Sequence, residues 1–145
     1  MQIIYIELEQ AITIHSRTID ISGGGDKGSL NIGQLESVLE HIKNDDYYPD
    51  FESKLCHLIW GACKFHCFRD GNKRIAIALG ADFLLKNGYM FIVSKFIIYM
   101  ENIVYHLAAG RIDKDLLHRI ISALLQGSEE DESLKLEIYN AIKDE

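Results

Sequence analysis

The residues from His66 to Arg74 bring together side chains that phosphate chemistry uses. His66 is the residue of this stretch whose charge changes near neutral pH, so it can act as a general base. Asp70 offers hard oxygen ligands of the kind that hold Mg²⁺. Lys73 and Arg74 add two positive charges that a polyphosphate would neutralise. These residue types, in this order, could support phosphoryl transfer.

The same stretch predicts a polar loop that leads into the start of a buried helix. Phe68 is expected to anchor this loop in the core, and Gly71 and Asn72 to form its turn. Free N–H groups and the dipole at the helix start would make an anion site, to which both residues would contribute. Asp-Gly-Asn is also ordinary turn chemistry and Lys-Arg an ordinary solvated pair, so the residues alone leave a purely structural interpretation open.

Hydrophobic periodicity predicts an all-α domain around these residues. The segment 75–85 is apolar on every side except at Asp82, which predicts a central, buried helix. Asn31, with Gln34 in the capping-box position, is predicted to cap the second helix, as Ser94 and Asp113 are for later ones. The predicted helices span about residues 8–20, 31–42, 50–66, 75–85, 94–109 and 113–126, and a last one follows residue 128.

Two segments are predicted to be extended, residues 1–8 as a short strand and residues 89–93 as a short piece after the central helix. The predicted fold therefore allows one short hairpin or flap. The first helix is expected to bury one stripe of residues, which are Leu8, Ala11, Ile12, His15 and Ile19.

Residues 22–29, the glycine loop, form a second candidate site element. Gly23 and Gly28 are spaced as the two glycines of a P-loop are, but Ser29 stands where the phosphate-binding lysine of a P-loop would be. The loop is interpreted either as a flap near a substrate site or as a flexible connector. Its candidate flap residues are Gly23, Gly24, Gly25, Asp26, Lys27 and Gly28.

Composition narrows the function class. The 145 residues carry a net charge of −7, which argues against direct nucleic-acid binding. No stretch is expected to span a membrane, and the N-terminus does not resemble a signal peptide, so the cytoplasm is predicted.

Residues 127–145 contribute a net charge of −5, which divides the chain into a domain, 1–126, and an acidic C-terminal helix or tail, 127–145. The tail is interpreted as a solvated helix or, alternatively, as a regulatory element.

Three cysteines and several histidines invite a zinc interpretation, but the spacing of the cysteines argues against it. Cys56, Cys63 and Cys67 form no Cys-x-x-Cys knuckle, and Cys56 and Cys63 lie on or beside the inner stripe of their predicted helix, where free cysteine behaves as a small hydrophobe. Five other histidines are expected to have structural or surface roles: His15, His41, His57, His106 and His118.

The nine residues from His66 to Arg74 closely resemble the Fic/Doc signature, His-x-Phe-x-Asp/Glu-x-Asn-Gly/Lys-Arg. Further likeness to the death-on-curing (Doc) subfamily lies in the glycine loop, in the Leu-Glu-Ser of residues 35–37, and in segments 83–89 and 107–110. The resemblance implies an all-α Fic/Doc fold, a catalytic His66, and a nucleotide site that uses ATP and Mg²⁺. Asp70 would hold the metal, and Asn72, Lys73 and Arg74 the phosphates.

The residue at position 73 separates two activities within this family. AMP-transferring members usually have glycine where this chain has Lys73, and arginine where it has Ile77, whereas lysine resembles Doc, a toxin kinase. The resemblance therefore implies transfer of the γ-phosphate to a Ser or Thr hydroxyl of a protein, with elongation factor Tu as the leading target. Adenylyl transfer and a catalytically silent helical adaptor are the alternatives.

The resemblance also implies a partner. Some Fic proteins carry an inhibitory helix with the motif Ser/Thr-x-x-x-Glu-Gly/Asn, and neither Ser128 nor Ser133 begins a complete copy. A Doc-like toxin without a built-in inhibitor would need a separate, small antitoxin protein.

Overall fold

The computed structural model describes residues 2–143, and in these residues it contains seven α-helices and no strand. The all-α prediction is confirmed. A short 3₁₀ helix, Met90–Ile92, lies between the fourth and fifth helices. In chain order the helices are α1 (Leu8–Ile21), α2 (Ile32–His41), α3 (Phe51–Lys64), α4 (Asn72–Lys86), α5 (Val93–Ala108), α6 (Lys114–Gln126) and α7 (Glu132–Ile142).

Helices α3 and α4 form the centre of the molecule. They pack against each other; α1 and α5 also contact α4, and α2 and α6 contact α3. The packing is close at two glycines: a Cβ on Gly61 would lie 2.5 Å from Val38 Cγ2, and one on Gly80 would lie 2.7 Å from Phe96 Cζ. The buried position predicted for α4 is confirmed, and a larger share of the residues of α3 is buried.

Local chemistry determines most helix ends. Asp113 accepts a hydrogen bond from Leu116 N as predicted, and Gly127 ends α6 in the left-handed conformation, with φ 75°. Asp131 caps α7 by accepting from Leu134 N. Such caps need only residues three or four positions apart, which is why the sequence reveals them.

Several local predictions are wrong. Residues 2–7 form no strand; instead, the Asn87 side chain pairs with both backbone groups of Ile4, at 2.8 and 3.0 Å. Residues 89–93 are not extended but contain the 3₁₀ turn, so α5 begins at Val93 and Ser94 lies inside it. Ile12 is 41% exposed rather than part of the buried stripe of α1. Residue 1 lies outside the described residues.

Among the described residues, the segment Met90–Ala108 has the length and apolar composition of a membrane-spanning helix, with a mean hydropathy of 1.2. Its buried residues, which include Phe96, Met100 and Val104, pack in the core, and α5 contacts α4. Core helices of soluble proteins pass the same test, so the segment by itself does not assign the chain to a membrane.

The acidic tail is attached to the domain at several points. Leu134 is buried where α7 contacts α6, and Glu137 pairs with Arg119. Glu129 is also buried, and its carboxylate accepts from Lys95 Nζ at 2.7 Å. Residues 144–145 of the tail lie outside the described residues.

Candidate active site

The site is built on the connection between α3 and α4, residues 65–71, which we call the motif loop. Helix α3 ends at Lys64, and His66 follows in the left-handed region with φ 49°. Glycine is the usual residue at this position after a helix, because a Cβ is strained there. An imidazole at a strained backbone position suggests a functional constraint.

The imidazole of His66 is accessible. The residue is exposed, and its side chain has no hydrogen-bond or ion-pair partner within residues 2–143. A general base needs this freedom, because the ring must accept a proton from an incoming group. The structure is therefore compatible with the predicted role of His66.

Phe68 anchors the motif loop, as its apolar type predicts. Its side chain is 2% exposed, and Asn72 clamps its backbone: Phe68 N donates to Asn72 Oδ1 at 3.2 Å, and Asn72 Nδ2 donates to Phe68 O at 2.9 Å. The Asn72 side chain thus closes the loop. Because both of its polar atoms are bonded to Phe68, the backbone N–H of Asn72 is the group that could bind a phosphate.

The start of α4 is a candidate anion site. Gly71 is the N-cap, with φ 79°, and the first intrahelical hydrogen bond runs from Ile75 N to Gly71 O at 2.8 Å. The N–H groups of Asn72, Lys73 and Arg74 precede that bond and have no acceptor among the described residues. The Lys73 side chain is exposed and also without a partner there. These donors and charges suit a polyphosphate.

Asp70 lies beside this anion site. Its side chain is 44% exposed, and its Oδ1 is 3.3 Å from Nη2 of Arg74. A hard carboxylate oxygen next to free N–H groups and two cations matches the donor set for a Mg²⁺–nucleotide complex. The residues present therefore fit both groups, with Asp70 for the metal and the start of α4 for the phosphates.

The glycine loop packs directly against the motif loop. Ser29 and Phe68 form an isolated antiparallel bridge, and Arg69 N donates to Gly28 O at 3.0 Å. A Cβ on Gly25 would lie 2.5 Å from Asp70 Oδ2, so this glycine permits the approach. The predicted hairpin or flap is thus reduced to a single bridge, and contact between the glycine loop and a substrate stays a prediction.

Asn31 corrects the predicted cap of α2. It occupies the N-cap position, but its side chain makes no capping hydrogen bond. Its Nδ2 instead lies 3.4 Å from both the Phe65 and the His66 carbonyl oxygens, and its backbone N donates to Cys67 O at 3.1 Å. This asparagine therefore joins the start of α2 to the motif loop.

The sequence was compared with known protein families. Residues 5–84 match the Fic/DOC family. This chain belongs to the Fic/DOC family. The matched segment covers α1, α2, α3 and all but the last two residues of α4, and so includes the glycine loop and the motif loop. A comparison with individually curated proteins gave no significant match.

Membership gives the site a general chemistry. Fic/DOC proteins are generally enzymes that transfer part of a nucleotide; they use ATP and often a metal. The donors at the start of α4 and the Asp70 carboxylate of this Fic/DOC protein are consistent with that use. The features that resemble Doc at residues 107–110 lie outside the matched segment.

One residue in contact with the site was predicted to have a structural or surface role. His15 of α1 is 1% exposed, its Nε2 lies 2.8 Å from the Asp70 carbonyl oxygen, and its ring stacks on Phe68. The sequence places His15 on the buried stripe of α1. It gives no signal for a contact between residues 55 positions apart.

The cysteines lie outside the converging set of potential metal ligands in residues 2–143. Cys56, Cys63 and Cys67 are buried free thiols, and burial raises their pKa values to about 12, 11 and 11. Within residues 2–143 one set of potential metal ligands converges, and it contains no cysteine: Asp50, Glu52 and His118. Asp50 already caps α3, at the end of the helix opposite the motif loop.

Proposed function

We propose that this Fic/DOC protein is a kinase that transfers the γ-phosphate of ATP to a Ser or Thr hydroxyl of another protein. The observation that carries the proposal is Lys73. Its ammonium is exposed at the second residue of α4 and has no hydrogen-bond or ion-pair partner within residues 2–143. AMP-transferring members of the family usually have glycine at this position. A glycine lets a phosphate approach the backbone closely, whereas a lysine side chain takes that space and offers its own charge.

His66 is the proposed general base. The substrate oxygen forms a bond to the γ-phosphorus, the bond from that phosphorus to the β–γ bridging oxygen breaks, and ADP leaves. The hydroxyl proton moves to the His66 ring, which is free to accept it because it has no partner among the described residues.

The start of α4 would hold the phosphates. The N–H groups of residues 72–74 and the Lys73 and Arg74 side chains offer donors and positive charge to their oxygens. Asp70 would hold Mg²⁺, which when bound neutralises charge that develops on the transferred group. Binding a nucleotide would separate Arg74 from Asp70, so that one meets phosphate and the other metal.

The Doc-like resemblance supports three further parts of the proposal. They are elongation factor Tu as the target, a small antitoxin as the inhibitory partner, and the cytoplasm as the compartment. The antitoxin would dock through an amphipathic helix, and co-purification with the product of a neighbouring gene tests it.

Radiolabelled transfer tests the reaction itself. A cell extract is incubated with the protein and either γ-labelled or α-labelled ATP. The mass of the labelled target protein is then measured by mass spectrometry. We expect γ label only, a mass gain of one phosphate, and loss of the signal in His66→Ala. His41→Ala, which changes another exposed histidine, should transfer normally. A mass gain of one AMP would contradict the kinase proposal.

Binding of nucleotide separates an enzyme from a silent adaptor. We expect Mg-ATP to raise the melting temperature of the wild-type protein, since a ligand that binds the folded state stabilises it. No shift at saturating Mg-ATP, together with no transfer of either label, would favour the adaptor.

A further inference from the structure

One buried histidine connects α1 to the motif loop. His15 Nε2 and the Asp70 carbonyl oxygen are 2.8 Å apart, and the side chain is 1% exposed. Because a carbonyl oxygen only accepts, His15 Nε2 must carry the proton of this hydrogen bond. The imidazole also stacks on Phe68, with the ring centroids 3.6 Å apart and the planes 7° from parallel. A single side chain thus holds the two residues that flank Arg69.

The contact continues to the first residue before α4. A Cβ added to Gly71 would lie 2.8 Å from Ile19 Cδ1 and 3.7 Å from His15 Nε2, so α1 packs directly on the N-cap of α4. Asn72 holds the motif loop from the α4 side, through Phe68. His15 holds it from the α1 side.

The orientation of the Asp70 carbonyl affects where the carboxylate of the same residue lies. The carboxylate of Asp70 is joined to its backbone by only two rotatable bonds, so a rotation of the peptide redirects it. With the carbonyl bound to His15, the carboxylate faces Arg74 at the α4 start and Gly25 in the glycine loop.

We propose that His15 is a positioning residue of this enzyme, which donates from Nε2 to the Asp70 carbonyl and so holds the Asp70 carboxylate beside the start of α4. The functional part rests on the proposed role of Asp70, whereas the effect on the motif loop does not. Two substitutions separate the two contacts of the ring. His15→Phe keeps an aromatic ring against Phe68 but removes the donor, and His15→Gln places an amide N–H where Nε2 was.

Hydrogen exchange of the motif-loop amides in ligand-free protein is the first readout. Loss of one hydrogen bond is expected to speed their exchange about tenfold in His15→Phe, with a smaller change in His15→Gln. The control is His106→Phe, which alters another buried histidine on α5 and reports any general destabilisation. Exchange in His15→Phe that matches wild type, or an equal effect of both His15 variants, would overturn the proposal.

Transfer kinetics and NMR complete the test. We expect kcat of His15→Phe to fall about tenfold and to recover partly in His15→Gln, with KM for ATP changed little, since the α4 donors remain. Ring ¹⁵N shifts of the wild-type protein should identify protonated Nε2. A deprotonated Nε2 would overturn the proposal. If wild-type protein transfers neither label, the proposed function fails, while the exchange comparison still decides the role of His15 in the motif loop.

Discussion

Asp70 and Arg74 form an ion pair across one turn at the start of α4, with Asp70 Oδ1 3.3 Å from Arg74 Nη2. Both side chains are well exposed, at 44% and 39%, so water screens their attraction and the pair adds little stability. The pair keeps a candidate metal ligand and a candidate phosphate ligand side by side. The two residues are therefore expected to matter for binding and catalysis rather than for folding.

The substitution Asp70→Asn tests whether Asp70 matters for catalysis but not for stability. We expect the free energy of unfolding to change by less than about 1 kcal/mol, because the ion pair is solvated. Transfer should fall on the order of a hundredfold and need more Mg²⁺, because an amide is a poorer ligand for this cation. Urea denaturation and a Mg²⁺ titration of transfer measure the two effects. Asp82→Asn, which breaks a similar i,i+4 pair in α4, is the control, and equal loss of activity there would contradict the prediction.

His66→Gly is expected to improve stability while it abolishes transfer. The backbone at residue 66 has φ 49°, a conformation that glycine adopts without the strain of a Cβ. The substitution should raise the free energy of unfolding by about 1 kcal/mol, and His66→Ala should not. Urea denaturation of the three proteins measures this, and a His66→Gly protein less stable than His66→Ala would disprove the strain argument.

Lys54 is expected to contribute to stability through a backbone carbonyl. The side chain is buried, and Nζ donates to Ile42 O and to Asp45 Oδ1, each at 2.7 Å. Lys54→Met leaves the carbonyl without its donor and should cost about 1–3 kcal/mol. Asp45→Asn should cost less than about 1 kcal/mol, because Asp45 is 79% exposed and its amide oxygen still accepts. If urea denaturation gave equal costs for the two variants, the ion pair with Asp45 would contribute more to stability than the hydrogen bond to the Ile42 carbonyl.

His57 should make the protein less stable in mild acid. Burial, and then the nearby Lys114 ammonium, lowers the pKa of His57 from 6.5 to about 4. Folded His57 stays neutral where the unfolded chain binds a proton, so this stability is complete above pH 6.5 and is lost as the pH falls towards 4, by up to about 3 kcal/mol.

His57→Asn provides the comparison, because an amide does not titrate and its oxygen can accept from Lys114 as Nδ1 does at 2.8 Å. Denaturation of both proteins between pH 4 and 7 should give a shallower pH dependence in the variant. The same slope in both would mean that other groups cause the acid sensitivity.

The sequence by itself determined what depends on neighbouring positions. The caps at Asp113 and Gly127 and the apolar faces of α3 and α4 follow from spacings within a few helical turns. The nine residues from His66 to Arg74 were found in the same way, because a signature of adjacent residues needs no knowledge of packing.

Tertiary structure decided the contacts between distant segments. Asn31 could cap α2 but bonds to the motif loop, and His15 reaches a carbonyl 55 positions away. Asn87 satisfies the backbone of Ile4, where a strand was expected. The physical reason is common to all three: a polar side chain has several local partners within reach, and only packing of the helices determines which donors and acceptors are buried together and must be paired.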